Sequence, residues 1–230
     1  MNLENIKDQV PTLLINTLKS ENIIELRPSQ EKAINAGLLE NKSLLVCTPT
    51  ASGKTLIAEI AAVKNCINRV GKAVYVVPLK ALANEKYKEF KRKYPYLKIA
   101  LSIGDNENTD HHLADYDIIV CTAEKLDSLL RHQTPWVSKL ATIILDEIHL
   151  LNDPGRGPTM EIIITILKTL LPNVQLIALS ATIGNPRELA EWLKAELVID
   201  DWRPVPLEKG IYWNGKIKFE DKQANLSSQP

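Results

Sequence analysis

Thr48-Pro49-Thr50-Ala51-Ser52-Gly53-Lys54-Thr55 lies between an apolar run at residues 43–47 and an amphipathic stretch at residues 56–68. The run has the length of a buried strand, and the stretch has the apolar spacing of a helix. A glycine-containing turn between a strand and a helix presents successive backbone N–H groups, which suit phosphate oxygens. We therefore predict a phosphate-binding loop at this place.

The residue types in the loop point to ATP and Mg²⁺ as cofactors. Backbone groups would come from Thr50, Ala51, Ser52 and Gly53. Lys54 would reach the terminal phosphates as a point charge, and the Thr55 hydroxyl would complete the shell of a magnesium ion. The general pattern has glycine where this chain has Thr48. A polar turn that binds nothing is the alternative, which the flanking strand and helix disfavour.

Composition limits the partners and the compartment. The 230 residues include 28 basic and 28 acidic side chains, so the chain as a whole offers no broad field to a polyanion and any nucleic-acid contact must be local. Three widely spaced thiols, Cys47, Cys66 and Cys121, suggest reduced, structural cysteines. Residues 1–10 are polar and no run is long enough to cross a bilayer, so we expect a cytoplasmic protein without membrane contact.

Strand and helix patterns alternate along the chain, which predicts an α/β fold. After a helical pattern at residues 6–19, strands are predicted at 43–47, 73–77, 99–103, 116–121, 141–145, 176–179 and 197–199. Helices are predicted between them, at 56–68, 79–94, 122–131, 158–171 and 186–193. This alternation is typical of a mostly parallel sheet with helices on both faces. Ligands of such sheets bind at the carboxyl ends of the strands.

Two other polar segments directly follow predicted strands and would meet the loop at that edge. Asp146-Glu147 follows one strand, and Ser180-Ala181-Thr182 follows the next. Asp146 can hold magnesium through water, and Glu147 can orient or deprotonate an attacking water. The alternative for an Asp-Glu pair is a solvated turn. The buried strand before it and the Gly-Lys-Thr of the loop favour the metal site.

Spacing alone leaves open the roles of Gln30, His149 and one pair of adjacent histidines. Gln30 lies in the first turn of a helix that starts near Pro28, where its amide could pair with adenine, although a solvated helix residue is the alternative. His149 could hydrogen-bond Ser180 or Thr182, or be an exposed helix-start histidine. The adjacent His111 and His112 would point apart on a regular element, which disfavours metal ligation.

Taken together, these motifs resemble the first RecA-like lobe of a superfamily-two DExH-box helicase. The resemblance rests on Gln30, residues 48–55, Asp146-Glu147-Ile148-His149 and Ser180-Ala181-Thr182, in that order. Three more segments resemble the nucleic-acid-contacting motifs of the family: Pro78-Leu79-Lys80-Ala81-Leu82-Ala83, Ser102-Ile103-Gly104-Asp105 and Thr122-Ala123-Glu124-Lys125-Leu126. Arg156-Gly157-Pro158 and Trp202-Arg203-Pro204-Val205-Pro206-Leu207 are similar to the Ski-type branch, especially the archaeal repair helicases of the Hjm type.

The resemblance implies a role for each motif. Gln30 would recognise adenine, Lys54, Asp146 and Glu147 would be catalytic, and Thr55 and Asp146 would hold the metal. His149, Ser180, Ala181 and Thr182 would couple hydrolysis to strand movement. The nucleic acid would contact Pro78, Leu79, Lys80, Ala81, Gly104, Thr122, Glu124 and Lys125. The implied function is that of an ATP-dependent 3′–5′ DNA helicase acting on single-stranded and forked or branched DNA in repair and replication restart.

The resemblance also implies a domain organisation. Residues 1–25 would be a helical segment packed on the lobe, residues 26–207 the RecA-like ATP-binding domain, and residues 208–230 a polar extension with one strand-like piece, Ile217-Lys218-Phe219. Because family members place ATP between two lobes, we expect this chain to be an N-terminal lobe that lacks the second lobe and accessory domains, and therefore does not unwind duplex alone.

Two alternatives stay open at this point. One is an RNA-remodelling motor of the same branch, and the other is a nucleotide-dependent interaction module. A phosphoryl-transfer kinase fits less well, because it explains neither Ser180-Ala181-Thr182 nor His149.

Overall fold

The computed structural model describes residues 1–104, 107–132 and 134–219, and of residues 107–110 only the backbone. Asp105 of the predicted intermediate motif and positions 220–230 of the predicted extension lie outside the described residues. Within the described part, no helix is both long enough and apolar enough to cross a bilayer.

A seven-stranded parallel sheet organises the described residues. Its strands are β1 (Leu44–Cys47), β2 (Lys72–Val77), β3 (Ile99–Ser102), β4 (Ile118–Thr122), β5 (Leu140–Leu145), β6 (Gln175–Ser180) and β7 (Glu196–Ile199). Their spatial order is β3-β4-β2-β5-β6-β1-β7, and every neighbouring pair is parallel. All strand carboxyl ends therefore lie at the same edge, and the predicted RecA-like α/β sheet is confirmed.

Helices cover both faces of this sheet. They are α1 (Thr12–Ser20), α2 (Pro28–Asn35), α3 (Lys54–Ile67), α4 (Lys80–Lys93), α5 (Ala123–Arg131), α6 (Gly157–Leu170) and α7 (Pro186–Leu193). Short 3₁₀ segments occupy Leu3–Ile6, Leu38–Glu40, Glu107–Asp115, Pro135–Lys139 and Ile148–Asn152. Side chains alternate along each strand, so that Tyr75 packs with α1–α4 while its neighbour Val74 packs with α5–α7. Nearly continuous apolar runs are what a sheet buried on both faces requires.

The N-terminal segment differs from its prediction. The helical pattern predicted a helix at residues 6–19, but α1 begins at Thr12 and a separate 3₁₀ turn covers Leu3–Ile6. Pro11 precedes α1, and since proline has no N–H it is tolerated at a helix start but not in its interior. Leu3, Ile6 and Leu14 are all buried in the core that also contains α3.

A hairpin follows the sheet at the end of the described residues. The sequence pattern predicted only its second strand; the structure adds a first, giving β8 (Gly210–Trp213) and β9 (Lys216–Phe219) in antiparallel pairing. Asn214 and Gly215 connect them with positive φ angles of 46° and 75°, which suits this residue pair in a tight hairpin. Both strands are exposed along their whole length.

Candidate functional site

The three predicted nucleotide motifs follow three neighbouring strands. The loop follows β1, Asp146 follows β5, and Ser180 ends β6, and the sheet order places β5, β6 and β1 side by side. Hydrogen bonding between the strands continues past their ends, because Thr48 N–H donates to Ser180 O over 3.3 Å and Asp146 N–H donates to Val76 O over 2.9 Å. The motifs therefore start from fixed backbone positions.

The loop is held in a cradle-like conformation by its own backbone and by α2. Ala51 and Gly53 have positive φ angles of 65° and 92°, and the hydroxyls of Thr48 and Ser52 are 2.7 Å apart. From outside the loop, Arg27 donates from its guanidinium to Ala51 O over 2.6 Å. Helix α3 begins directly after Gly53, so its free N–H groups open toward the space in front of the loop.

Gln30 supports the loop in this structure. Its side-chain oxygen accepts from the Arg27 N–H over 2.8 Å, and its amide nitrogen donates to Gly53 O over 3.0 Å. Only 3% of the residue is exposed. The contact with adenine that the sequence suggests stays a prediction. The hydrogen bonds give Gln30 a positioning role that the sequence did not reveal.

Lys54, Asp146 and Glu147 come together as predicted. Lys54 Nζ lies 3.8 Å from Glu147 Oε2. The Asp146 carboxylate is anchored at both oxygens: Oδ1 accepts from the Glu147 N–H over 3.0 Å, and Oδ2 accepts from the Tyr75 hydroxyl over 2.9 Å. Burial, reinforced by the charge of Asp146, raises the pKa of Tyr75 well above its usual value, so the phenol is a neutral donor. Glu147 has a positive φ of 55°, a strained backbone of the kind found at functional sites.

These side chains line one cavity of about 490 Å³. Its walls are formed by Arg27, Thr50, Ala51, Gly53, Lys54, Thr55, Val77, Leu82, Lys86, Asp146, Glu147 and Pro204. The Asp146 carboxylate and the Thr55 hydroxyl are hard oxygen donors, which Mg²⁺ prefers, and Mg²⁺ usually keeps several waters and binds phosphate as well. Among the described residues no group of three or more His, Cys, Asp or Glu is arranged as a metal cage. The donor set therefore fits a magnesium ion that arrives with a nucleotide.

Arg27 and Pro204 line the cavity and Trp202 contacts Arg27, but the sequence did not assign these residues to the site. The Arg27 guanidinium lies 5.5 Å from the centre of the Trp202 ring, and Pro204 lines the cavity two residues further on. The turn that brings them back is fixed by Asp200, whose carboxylate accepts from the Trp202 N–H over 2.7 Å. In the sequence, the segment at residues 202–207 shows only a resemblance to one helicase branch.

The predicted coupling residues are close to the site but are not joined by hydrogen bonds. His149 Nδ1 lies 3.2 Å from Glu147 Oε2 without the geometry of a hydrogen bond, and among the described residues His149 bonds neither Ser180 nor Thr182. Ser180 Oγ is buried and, within the described residues, has no hydrogen-bond partner, whereas Thr182 is exposed. The predicted link from His149 to this segment is thus not formed in this structure.

The predicted nucleic-acid residues occupy the other half of the same edge. Pro78, Leu79, Lys80 and Ala81 follow β2, Gly104 follows β3, and Thr122, Glu124 and Lys125 span the end of β4 and the start of α5. These three strands are neighbours in the sheet. Lys80 and Glu124 are exposed, Lys125 is buried, and Thr122 caps α5 by accepting from the Lys125 N–H.

Helices α4 and α5 therefore begin at this half of the edge. Helix N-termini carry free N–H groups and partial positive charge, which favour phosphate oxygens. The arrangement suits a nucleic-acid backbone even in a chain with no net charge.

Comparison with known proteins gives consistent matches. A family model described as DEAD/DEAH box helicase matches residues 27–190. The ATP-dependent DNA helicase Hel308 of Methanocaldococcus jannaschii is 55% identical over 216 residues, which cover 90% of this chain and 18% of that protein. Hel308 of Pyrococcus abyssi is 50% identical over 218 residues, which cover 94% of this chain and 30% of that protein.

Solved structures agree with these matches. The crystal structure of the DUF1998 helicase MrfA bound to DNA and AMPPNP has a TM-score of 0.72 at 27% identity, over 84% of this chain and 29% of that one. The same helicase bound to DNA alone gives the same TM-score at 26% identity, over 84% of this chain and 30% of that one. The chain thus spans between 18% and 30% of the length of these two curated relatives.

Proposed function

The chain belongs to the DEAD/DEAH box helicase family, and we propose that it forms the ATP-binding motor lobe of an ATP-dependent DNA helicase. The family predicted from the sequence is thereby confirmed. The observation that carries the proposal is the convergence of Lys54, Asp146 and Glu147 on one cavity in front of the phosphate loop. Phosphoryl transfer to water needs these parts: a cation on the phosphates, a carboxylate for the metal and a base that positions the water.

The proposed chemistry assigns one task to each side chain. The loop amides and Lys54 would bind the phosphates, while Thr55 and Asp146 would hold Mg²⁺, which would supply charge neutralisation at the transferring phosphoryl group. Glu147 orients the attacking water and accepts its proton. Lys54 and Glu147 face each other at 3.8 Å, and a bound phosphate competes for the lysine. Nucleotide binding would then leave the Glu147 carboxylate available to water.

We propose that the nucleic acid is DNA, bound along the ends of β2, β3 and β4. Hel308 and MrfA, to which the chain is similar, are a DNA helicase and a helicase crystallised with DNA. Contacts to phosphates through amides, hydroxyls and lysines need no net protein charge, because they are local. The 3′–5′ direction and the preference for forked DNA in repair follow from the resemblance of the motifs to Hjm-type helicases.

The domain limits are part of the proposal. Residues 26–207 would form the ATP-binding lobe, with residues 1–25 packed on it and residues 208–230 as an extension. Unwinding would need a second RecA-like lobe, because arginine supplied across the cleft raises the rate of such reactions by roughly 10³–10⁵. His149 and residues 180–182 would couple nucleotide hydrolysis to movement of the nucleic-acid strand.

Nucleotide titration tests the site. In calorimetry with ADP and Mg²⁺ we expect the chain to bind the nucleotide. Lys54→Ala should weaken this binding by at least about tenfold, because the positive charge that faces the phosphates is lost. Lys139→Ala is the matched control, because Lys139 is exposed at the opposite edge of the sheet. Equal affinities of Lys54→Ala and the unchanged chain would refute the site.

Substrate choice is tested by binding and by strand displacement. We expect the chain to bind single-stranded DNA through phosphate contacts, so binding should weaken as salt rises. Displacement of a strand from forked DNA, but not from the matched RNA, by the protein together with its second lobe would support a DNA helicase. Displacement confined to RNA would establish an RNA-remodelling motor instead.

A further inference from the structure

Tyr75 connects the proposed metal site with the helix layer behind it. It lies in the middle of β2, is fully buried, and donates its hydroxyl hydrogen to Asp146 Oδ2 over 2.9 Å. The other oxygen of the same carboxylate accepts from the Glu147 N–H over 3.0 Å. The carboxylate is therefore held at both ends, and its plane cannot rotate without breaking one of the two bonds.

We propose that Tyr75 is a positioning residue for the metal–nucleotide site: its hydroxyl fixes the Asp146 carboxylate in the orientation that receives Mg²⁺ with the nucleotide. The inference rests on the proposed function, because it takes Asp146 as the metal-side carboxylate. Each carboxylate oxygen has two lone-pair directions. One hydrogen bond at each oxygen therefore leaves acceptor capacity for a metal-bound water.

The ring of Tyr75 links this carboxylate to α4. It packs against Phe90 with ring centres 5.5 Å apart in an edge-to-face arrangement, and Phe90 in turn contacts Tyr94 at 5.7 Å. Helix α4 begins at Lys80, among the residues proposed to contact nucleic acid. Tyr75 thus touches both the metal-side carboxylate and the helix that starts at the proposed strand-binding edge.

Tyr94 shows why a buried tyrosine need not have this role, and it offers a matched control. It is also fully buried and also donates to a carboxylate, Glu59, over 2.6 Å, but Glu59 does not line the nucleotide cavity. Replacing either tyrosine with phenylalanine removes one buried hydroxyl from one buried carboxylate. Any general effect of losing such a bond should therefore appear in both variants.

The test measures how much Mg²⁺ tightens ADP binding, as the ratio of the dissociation constants in EDTA and in Mg²⁺. Residues that orient metal ligands typically change metal affinity by about 10–100-fold. We expect Tyr75→Phe to lower this ratio by about tenfold and to leave the affinity in EDTA unchanged. Tyr94→Phe should leave the ratio unchanged. Mn²⁺ binding in the presence of ADP, followed by the electron paramagnetic resonance signal of free Mn²⁺, should weaken in the same variant only.

A double-mutant cycle with Asp146→Asn tests whether Tyr75 acts through that carboxylate. In the Asp146→Asn background, Tyr75→Phe should have no further effect on the ratio. An unchanged ratio in Tyr75→Phe, or equal losses in Tyr75→Phe and Tyr94→Phe, would overturn the inference while leaving the ATP site intact. If the unchanged chain showed no Mg²⁺-dependent ADP binding, the proposed function would fail, and the inference with it.

Discussion

A methyl group added at Gly53 should show how much stability depends on backbone strain and how much on one specific contact. Its φ of 92° lies in the left-handed region, and a Cβ built there would sit 2.5 Å from Gln30 Nε2. Gly53→Ala must therefore displace the amide that donates to Gly53 O. Gly104 has almost the same φ, 91°, and among the described residues no atom lies within 4 Å of its Cβ position. Gly104→Ala is thus a control that carries the strain without the clash.

The magnitudes follow from these two environments. A residue other than glycine in the left-handed region costs about 1–2 kcal/mol. Loss of the hydrogen bond between Gln30 and Gly53 adds about 1 kcal/mol. We therefore expect Gly53→Ala to lower the free energy of unfolding by about 2–3 kcal/mol, and Gly104→Ala by no more than about 1–2 kcal/mol.

Urea denaturation and ADP titration of both variants provide the assay. Gly53→Ala should also weaken ADP binding by more than about tenfold, because the cradle changes shape, while Gly104→Ala should keep the affinity of the unchanged chain. Equal losses of stability in the two variants, together with unaltered ADP binding in Gly53→Ala, would show that Gln30 does not support the loop.

Three other predictions concern charges and thiols. Glu147→Gln should abolish hydrolysis by the assembled motor and bind nucleotide up to about fivefold more tightly, because it frees Lys54 from a partly exposed ion pair worth about 0.2–1 kcal/mol. Weaker nucleotide binding in calorimetry would contradict this. Lys93→Ala should lower the free energy of unfolding, measured by urea denaturation, by about 3 kcal/mol, because the buried Glu59 carboxylate loses the cation 2.6 Å away. Removal of the exposed Lys7 side chain should lower it by less than about 1 kcal/mol. Burial raises the pKa of Cys47 to about 11 and the pKa values of Cys66 and Cys121 to about 12, so the thiols of the folded chain should be protonated at pH 8. They should react slowly with Ellman's reagent in the folded chain and quickly only in denaturant; fast labelling of the folded chain would argue against this prediction.

Local patterns were sufficient for the strands, most of the helices and the loop that joins β1 to α3. Residues 44–47 are apolar and the segment after them is polar and contains Gly53, so residues close in the sequence favour the strand, the turn and the helix. Ligands bind at the carboxyl ends of parallel strands, so Lys54 and Asp146 could be predicted to lie close together although the strand order was unknown. Predicted boundaries differ from the observed ones by one or two residues in the sheet and in the helices that follow it. The exception is α1, where Pro11 delays the start.

The residues that the sequence did not reveal depend on contacts between distant segments. Tyr75 lies in an apolar run, so the pattern predicts only a buried strand residue. Its hydroxyl reaches Asp146, 71 residues away, because β2 pairs with β5 in the register Tyr75 to Ile144. Two residues beyond Ile144, Asp146 projects from the same face as Tyr75. A slip of one residue would turn Tyr75 to the opposite face and leave the carboxylate without this donor. The loop between β1 and α3 can therefore be predicted from its own sequence, whereas the orientation of the Asp146 carboxylate depends on the sheet register.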